Sequence, residues 1–141
     1  METSDVRKRL NEAMERAKKR SADRRAQNDR ASRAFDRLLS TTAIPLMRQI
    51  ASVLKAAGYP FSVFTPSGSV RLMSDKSSED YIEIALDTSE EAPRVVGHVS
   101  RSRGRRVVDA ERVVGPGDPE SITEEQLFEF LLKELEPFVE R

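Results

Sequence analysis

The segment KKRSADRRAQNDR, residues 18–30, constrains the fold most, because almost none of its side chains gain by leaving water. Its apolar content is two alanines, yet every residue in it tolerates a helix and both flanking stretches have helical periodicity. A helix without an apolar face has nothing to hold it against its own domain. The sequence therefore predicts a long charged helix whose middle lies outside the protein's core.

This helix is predicted from residue 5 to about residue 40. Apolar residues, which are scarce in its middle, return near its C-terminal end. Apolar side chains recur at helical spacing in its first turns, at Val6, Leu10 and Met14. Further along the same side, alanine and polar residues replace them, which makes a poor coiled-coil seam but leaves room for a second helix. We expect that side of the helix to contact another chain. Its members are Val6, Leu10, Ala13, Ala17, Arg24, Ala31, Ala34 and Leu38.

Charge is distributed unevenly along the chain, although its 24 basic and 24 acidic side chains cancel. Residues 1–40 contain 12 basic and 7 acidic side chains, a net charge of +5. Residues 109–141 contain 3 basic and 10 acidic side chains, a net charge of −7. Such asymmetry attracts the front of one copy to the tail of another, or the front to a polyanion.

A second amphipathic helix is predicted to follow and to end at Gly58, with Pro60 beyond it. Pro45 fits the first turn of a helix but not its interior, because it lacks the N–H group and its ring crowds the preceding turn. We therefore expect a break or a sharp kink near Thr41–Thr42.

From residue 61 the apolar period changes from helical spacing to two, which is typical of strands. Strands are predicted at 61–65, 69–75, 81–87, 94–101 and 105–114. The short, turn-like connections favour antiparallel neighbours, so the expected sheet is a meander of four or five strands. A last helix is predicted after Thr123, which forms a capping box with Gln126.

The expected fold is therefore α+β. It has a long N-terminal helix and a second helix, the antiparallel meander, and a C-terminal helix packed on one face of the sheet. We divide the chain into a charged helical arm, residues 1–42, and a compact α+β domain, residues 43–141.

The sequence shows no recognisable catalytic, cofactor-binding or metal-binding pattern. The chain has no cysteine, which excludes disulfides, thiolate metal sites and a cysteine nucleophile. His98 is the only histidine, and one histidine in a strand is better explained as an ordinary strand residue than as a general base. Paired carboxylates such as Glu90–Glu91 fit solvated loops, with a divalent-cation site as the alternative. We therefore predict no catalytic, metal or cofactor residues and no cofactor.

A second basic feature is the stretch RSRGRR, predicted to form the tip of a hairpin. Its arginines suit contacts with phosphate groups, although no aromatic residue accompanies them for base stacking. The predicted phosphate contacts are Arg101, Arg103, Arg105 and Arg106.

The leading hypothesis is a non-enzymatic interaction or assembly module whose arm docks on another protein chain, either a second copy or a different partner. The alternative is a nucleic-acid-binding protein that uses the arm and the Arg101–Arg106 tip. A weaker alternative is a small enzyme without a recognisable motif. No apolar segment approaches the about 20 residues that a membrane span needs, and no signal peptide is recognisable, so we expect a cytoplasmic protein without a membrane partner.

Overall fold

The computed structural model describes residues 1–140 and confirms the α+β architecture. Two joined helices come first, then five strands and a last helix. Their bounds are α1 (Thr3–Leu38), a π-helical turn (Leu39–Ala43), α2 (Ile44–Ala56), β1 (Phe61–Phe64), β2 (Ser69–Ser74), β3 (Tyr81–Asp87), β4 (Arg94–Arg103), β5 (Arg106–Val113) and α3 (Glu124–Glu140). The strands form one sheet in chain order, each antiparallel to the next, so the meander has five strands.

The two faces of the sheet differ in polarity, as the alternation in β3 predicts. Ile82 and Ile84 are fully buried, whereas Glu83 between them is half-buried and pairs with Arg71 across the sheet. Because paired residues share a face, His98 opposite Glu83 belongs to the outer, polar face. The helices cover the other face, which holds the core.

The last helix is fixed to the sheet at several points along its length. The ring of Phe138 meets that of Phe61 edge-on, with centroids 5.8 Å apart. Both carboxylate oxygens of the buried Glu134 accept hydrogen bonds of 2.9 Å from Arg112 on β5. The helix thus spans the sheet from its first strand to its last.

The core also reaches into the end of α1. Phe35, Leu38 and Leu39 are buried in the same cluster as the strands and α3. The division of the chain at residue 42 stays a prediction, but these three side chains from before that point belong to the core.

Of the expected break or sharp kink near Thr41–Thr42, the break is wrong: a π-helical turn keeps the chain helical there. The backbone angles at both ends of the turn are right-handed helical, and the Ile44 N–H donates to the Leu39 carbonyl five residues earlier. Pro45 explains the wider turn, because its missing N–H and its ring disturb an ordinary α-helical ladder at this point. The Thr41 hydroxyl donates to the Arg37 carbonyl at 2.6 Å, which helps to satisfy the backbone there.

Candidate functional site

The first part of α1 lies in solvent on all sides. Every residue from 3 to 27 is exposed, and the buried residues of this helix are Ala34, Phe35 and Leu38. We call residues 3–27 the projecting segment. At a rise of about 1.5 Å per residue, α1 is about 54 Å long, so the projecting segment extends well beyond the sheet.

The eight residues of the predicted contact side fall into two groups. Ala34 and Leu38 are buried in the chain's own core region, and Ala31 is half-buried. The rest are exposed. They are Val6, Leu10, Ala13, Ala17 and Arg24. The same side of the helix therefore packs on the domain at its C-terminal end and faces solvent at its N-terminal end.

The large apolar side chains of the projecting segment are in water. Val6 is 43% exposed, Leu10 57% and Met14 45%. At about 100° per residue these three lie on one side of the helix, with Ala17 between Val6 and Leu10 and Ala13 next to Val6. We call these five residues the apolar stripe.

Basic side chains border the apolar stripe on both sides. By the same helical rotation, Arg9, Arg16 and Arg20 lie along one edge, and Arg7 and Lys18 lie along the other. The stripe is therefore an apolar strip with positively charged margins, a pattern that suits a groove with acidic rims.

Local interactions within the projecting segment are weak. No side chain caps the start of α1, where Glu2 is the N-cap residue. An ion pair joins Lys18 to Glu15 at 3.6 Å, but both side chains are about three-quarters exposed, and such pairs contribute roughly 0–1 kcal/mol. A helix held only by such contacts frays in isolation, so docking on another surface would stabilise it.

The predicted basic tip is the turn between β4 and β5. Arg103 pairs with Arg106 across a turn in which Gly104 has a positive φ of 64°, a conformation that glycine adopts without strain. Arg103, Arg105 and Arg106 are exposed, and Arg101 is half-buried. The structure thus brings the four predicted arginines together around one hairpin end.

The tip and the arm lie at opposite ends of this hairpin. Gln27 and Arg30 of α1 line a depression together with Arg94, at the start of β4, and Val113, at the end of β5. The tip is at the other end of the same strands, about 30 Å away at about 3.3 Å per residue. The residues of α1 nearest the domain therefore lie at the end of this hairpin away from the tip.

His98 lies on the outer face of the sheet among charged neighbours. Its Nε2 is 3.8 Å from Asp109 Oδ1, and its Nδ1 is 3.9 Å from Glu111 Oε2. Its ring is stacked with that of Tyr81 at a centroid distance of 6.4 Å. These are contacts between neighbouring strands, which stabilise a sheet.

The acidic loop after β3 is organised around Asp87. The Ser89 hydroxyl donates to Asp87 Oδ1 at 2.6 Å and the Ser89 N–H at 2.9 Å, and Arg94 Nε lies 3.6 Å from Oδ2. The two Ser89 hydrogen bonds, followed by the positive charge of Arg94, lower the pKa of Asp87 below 3.8. Arg94 also pairs with Glu90 at 3.7 Å. Its positive charge therefore lies beside the loop carboxylates that would serve as ligands in a divalent-cation site. Within residues 1–140, no group of three or more histidine and carboxylate side chains is placed to hold a metal ion.

An apolar groove between α2 and α3 was not predicted. It has a volume of about 850 Å³, and the described side chains that line it are apolar except for Gln49 and three glutamates. Three of its apolar side chains are strongly exposed: Val53 is 70% exposed, Leu132 47% and Val139 37%. We call this surface the α2–α3 groove. Its signal in the sequence is that both helices carry apolar residues over a wider arc than packing on the sheet requires.

Comparison with protein-family models, with curated proteins and with solved structures finds no match to this chain. Among residues 1–140, no helix combines the length and the apolar character that crossing a membrane requires.

Proposed function

We propose that the protein is a non-enzymatic assembly module whose N-terminal helix docks on another protein chain. The observation that carries this proposal is the apolar stripe. It lies in solvent on a helical segment whose residues are all exposed in the single chain. Large apolar side chains that recur along one side of a helix are the pattern by which helices recognise a groove on a partner.

The energetics support docking rather than a solvated helix. Burying one valine, leucine or methionine side chain contributes about 1.5–3 kcal/mol, and the stripe holds three of them at successive turns. The projecting segment gains this free energy only on another surface, because its own domain contacts α1 no earlier than the residues near Gln27. The basic margins add orientation and faster association more than affinity.

The proposal is tested by measuring the mass of the full chain by light scattering or sedimentation, from about 5 to about 200 µM, because association follows mass action. Amide exchange of residues 3–27 is followed over the same range. We expect a mass above the monomer and slower exchange of these amides as concentration rises. A monomeric mass at the highest concentration, with freely exchanging amides, contradicts docking on a second copy.

Two variants separate docking by the stripe from general effects of charge. Leu10→Glu combined with Met14→Glu places two carboxylates on the apolar stripe. The control, Asn11→Glu combined with Ala22→Glu, places the same two charges on exposed positions away from it. We expect the stripe variant to lose association and the control to retain it. Equal loss in both variants contradicts recognition through the stripe.

The exposed arginines of the β4–β5 tip favour one second candidate, a nucleic-acid-binding protein. Its test is the fluorescence anisotropy of a labelled random duplex at about 50 and about 200 mM salt, because phosphate contacts make binding steeply salt-dependent. Charge reversal at Arg103, Arg105 and Arg106 then separates the tip from the arm. Absence of binding at the lower salt concentration eliminates this candidate.

A further inference from the structure

The α2–α3 groove is an apolar surface whose α3 wall carries acidic side chains. Its floor and walls come from residues on both helices, including Ile50 and Val53 of α2 and Phe128 and Leu132 of α3. Acidic side chains stand at both ends of the α3 wall. They are Glu124, Glu125 and Glu136. The exposed side chains of Val53, Leu132 and Val139 leave its apolar surface accessible to an occupant.

The apolar stripe has the complementary properties. It is apolar at its centre and basic along both edges, whereas the groove is apolar at its centre and carries its acidic residues on the α3 wall. The stripe runs from Val6 to Ala17, about 17 Å of helix, and the α3 wall from Glu124 to Val139 is about 23 Å long. The stripe thus fits within the groove in length, in polarity and in sign of charge.

The projecting segment cannot reach the groove of its own chain while α1 remains a helix. From Ala34, where α1 meets the core, the end of the stripe at Ala17 is about 26 Å away along a continuous rod. The π-helical turn joins α1 to α2 without a loop, so no flexible connection lets α1 fold back on α2. An occupant from this sequence must therefore come from a second copy.

We infer that the apolar stripe of one copy docks in the α2–α3 groove of a second copy, which makes the chain a homo-oligomer with exchanged N-terminal helices. This inference rests on the proposed function and specifies its partner and its receptor surface. Each copy carries one stripe and one groove, so a two-fold dimer makes the contact twice. The repetition favours stability, because specific interfaces bury about 1,200–2,000 Å² in total.

This pairing is tested with two variants that are each expected to be monomeric alone and to form a heterodimer when mixed. Leu10→Glu destroys the stripe and leaves the groove intact, and Val53→Glu destroys the groove and leaves the stripe intact. Both positions are exposed in the single chain, so neither change disturbs folding. Val107→Glu is the matched control, because Val107 is 45% exposed on β5, outside the groove. All four proteins are weighed by sedimentation as full-length chains.

We expect the dissociation constant to rise about tenfold or more in each single variant, and the control to stay within a factor of about two of the unchanged protein. Mixing the two variants restores one stripe–groove contact, so heterodimers form where each variant alone is monomeric. Contacts between two stripes, or between two grooves, predict no such repair.

The remaining outcomes separate the inference from the proposed function. Loss of association in Leu10→Glu but not in Val53→Glu overturns the groove as receptor and leaves docking by the arm standing. Loss of association in Val53→Glu but not in Leu10→Glu shows contact between two grooves. That outcome overturns both the inference and the proposed docking by the stripe. If sedimentation shows that the unchanged protein is monomeric, both the homo-oligomer and the groove of a second copy as its docking surface are overturned.

Cross-linking gives a second readout that does not depend on weakening the contact. Because the chain has no cysteine, single cysteines introduced at Leu10 and at Val53 are the only thiols in a mixture of the two variants. Mild oxidation of Leu10→Cys mixed with Val53→Cys gives a disulfide-linked heterodimer if the stripe lies in the groove. Leu10→Cys mixed with Val107→Cys is the control, and equal yields from the two mixtures contradict the inference.

Discussion

The projecting segment and α3 carry the same apolar spacing but have opposite environments. Leucines at every fourth residue of α3, from Leu127 to Leu135, are buried against the sheet. Val6, Leu10 and Met14 repeat that spacing in α1 and lie in solvent. The spacing specifies an amphipathic helix in both cases, but the burial of its apolar side depends on which surface the fold places beside it.

The test of this comparison with the largest expected change in stability truncates one leucine in each helix. Leu131→Ala removes a fully buried side chain from α3, and we expect it to lower the free energy of unfolding by about 2–5 kcal/mol. Leu10→Ala removes an exposed side chain, so a change below about 0.5 kcal/mol is expected in the monomer. Urea unfolding followed by circular dichroism, in protein dilute enough to be monomeric, measures both. A large loss from Leu10→Ala under these conditions contradicts the solvent exposure of the stripe.

A second test addresses the close approach of α3 to the sheet, a contact that the projecting segment lacks. A Cβ atom added at Gly97 overlaps the ring of Phe130. Gly97→Ala is therefore expected to lower the free energy of unfolding by about 1–3 kcal/mol through overpacking. Combining it with Phe130→Leu, which shortens the facing side chain, costs less than the sum of the two single changes. Additive effects of the two changes mean that Phe130 does not lie against Gly97.

The local structure of α3 could be predicted from the sequence because neighbouring residues determine it. The capping box forms as expected: the Thr123 N–H donates to Gln126 Oε1 at 2.9 Å, and the Gln126 N–H donates to the Thr123 hydroxyl at 3.1 Å. Strand limits are equally local, and β3 has the bounds that its alternation predicts. Periodicity and turn residues carry this information without any long-range contact.

Features that depend on two distant segments were missed or only partly predicted. The α2–α3 groove requires knowing which sides of two helices remain uncovered after both pack on the sheet. The close approach of Phe130 to Gly97 was also missed, because it joins a strand to a helix about 30 residues later in the chain. The contact side assigned to α1 includes Ala34 and Leu38, which the chain buries itself, because helical spacing cannot distinguish an internal neighbour from an external one.

A third and smaller test compares the two helix starts. Thr123→Ala removes the side-chain cap of α3, and we expect a loss of about 1 kcal/mol in the free energy of unfolding. Ser4→Ala, at the uncapped start of α1, is the matched change and should cost less than about 0.5 kcal/mol, because no side chain there caps the helix. Thermal unfolding of the two variants beside the unchanged protein measures the difference. A Ser4→Ala loss as large as that of Thr123→Ala contradicts the uncapped start.

The test with the smallest expected change in stability concerns charged side chains. They interact weakly with their neighbours in the projecting segment and more strongly in the domain. The Lys18–Glu15 pair of the projecting segment joins two largely exposed side chains at 3.6 Å. In the domain, the Ser89 hydroxyl, the Ser89 N–H and Arg94 together lower the pKa of Asp87. A lowered folded-state pKa adds stability that is present above the unfolded value of 3.8 and is lost as the pH falls through the folded value. Ser89→Ala removes the largest cause. We therefore expect it to reduce thermal stability slightly at neutral pH and to have a diminishing effect below pH 3.8. Thr88→Ala, in the same loop, is the control, and a Ser89→Ala effect that stays constant across this range shows that the hydrogen bond does not favour the charged carboxylate.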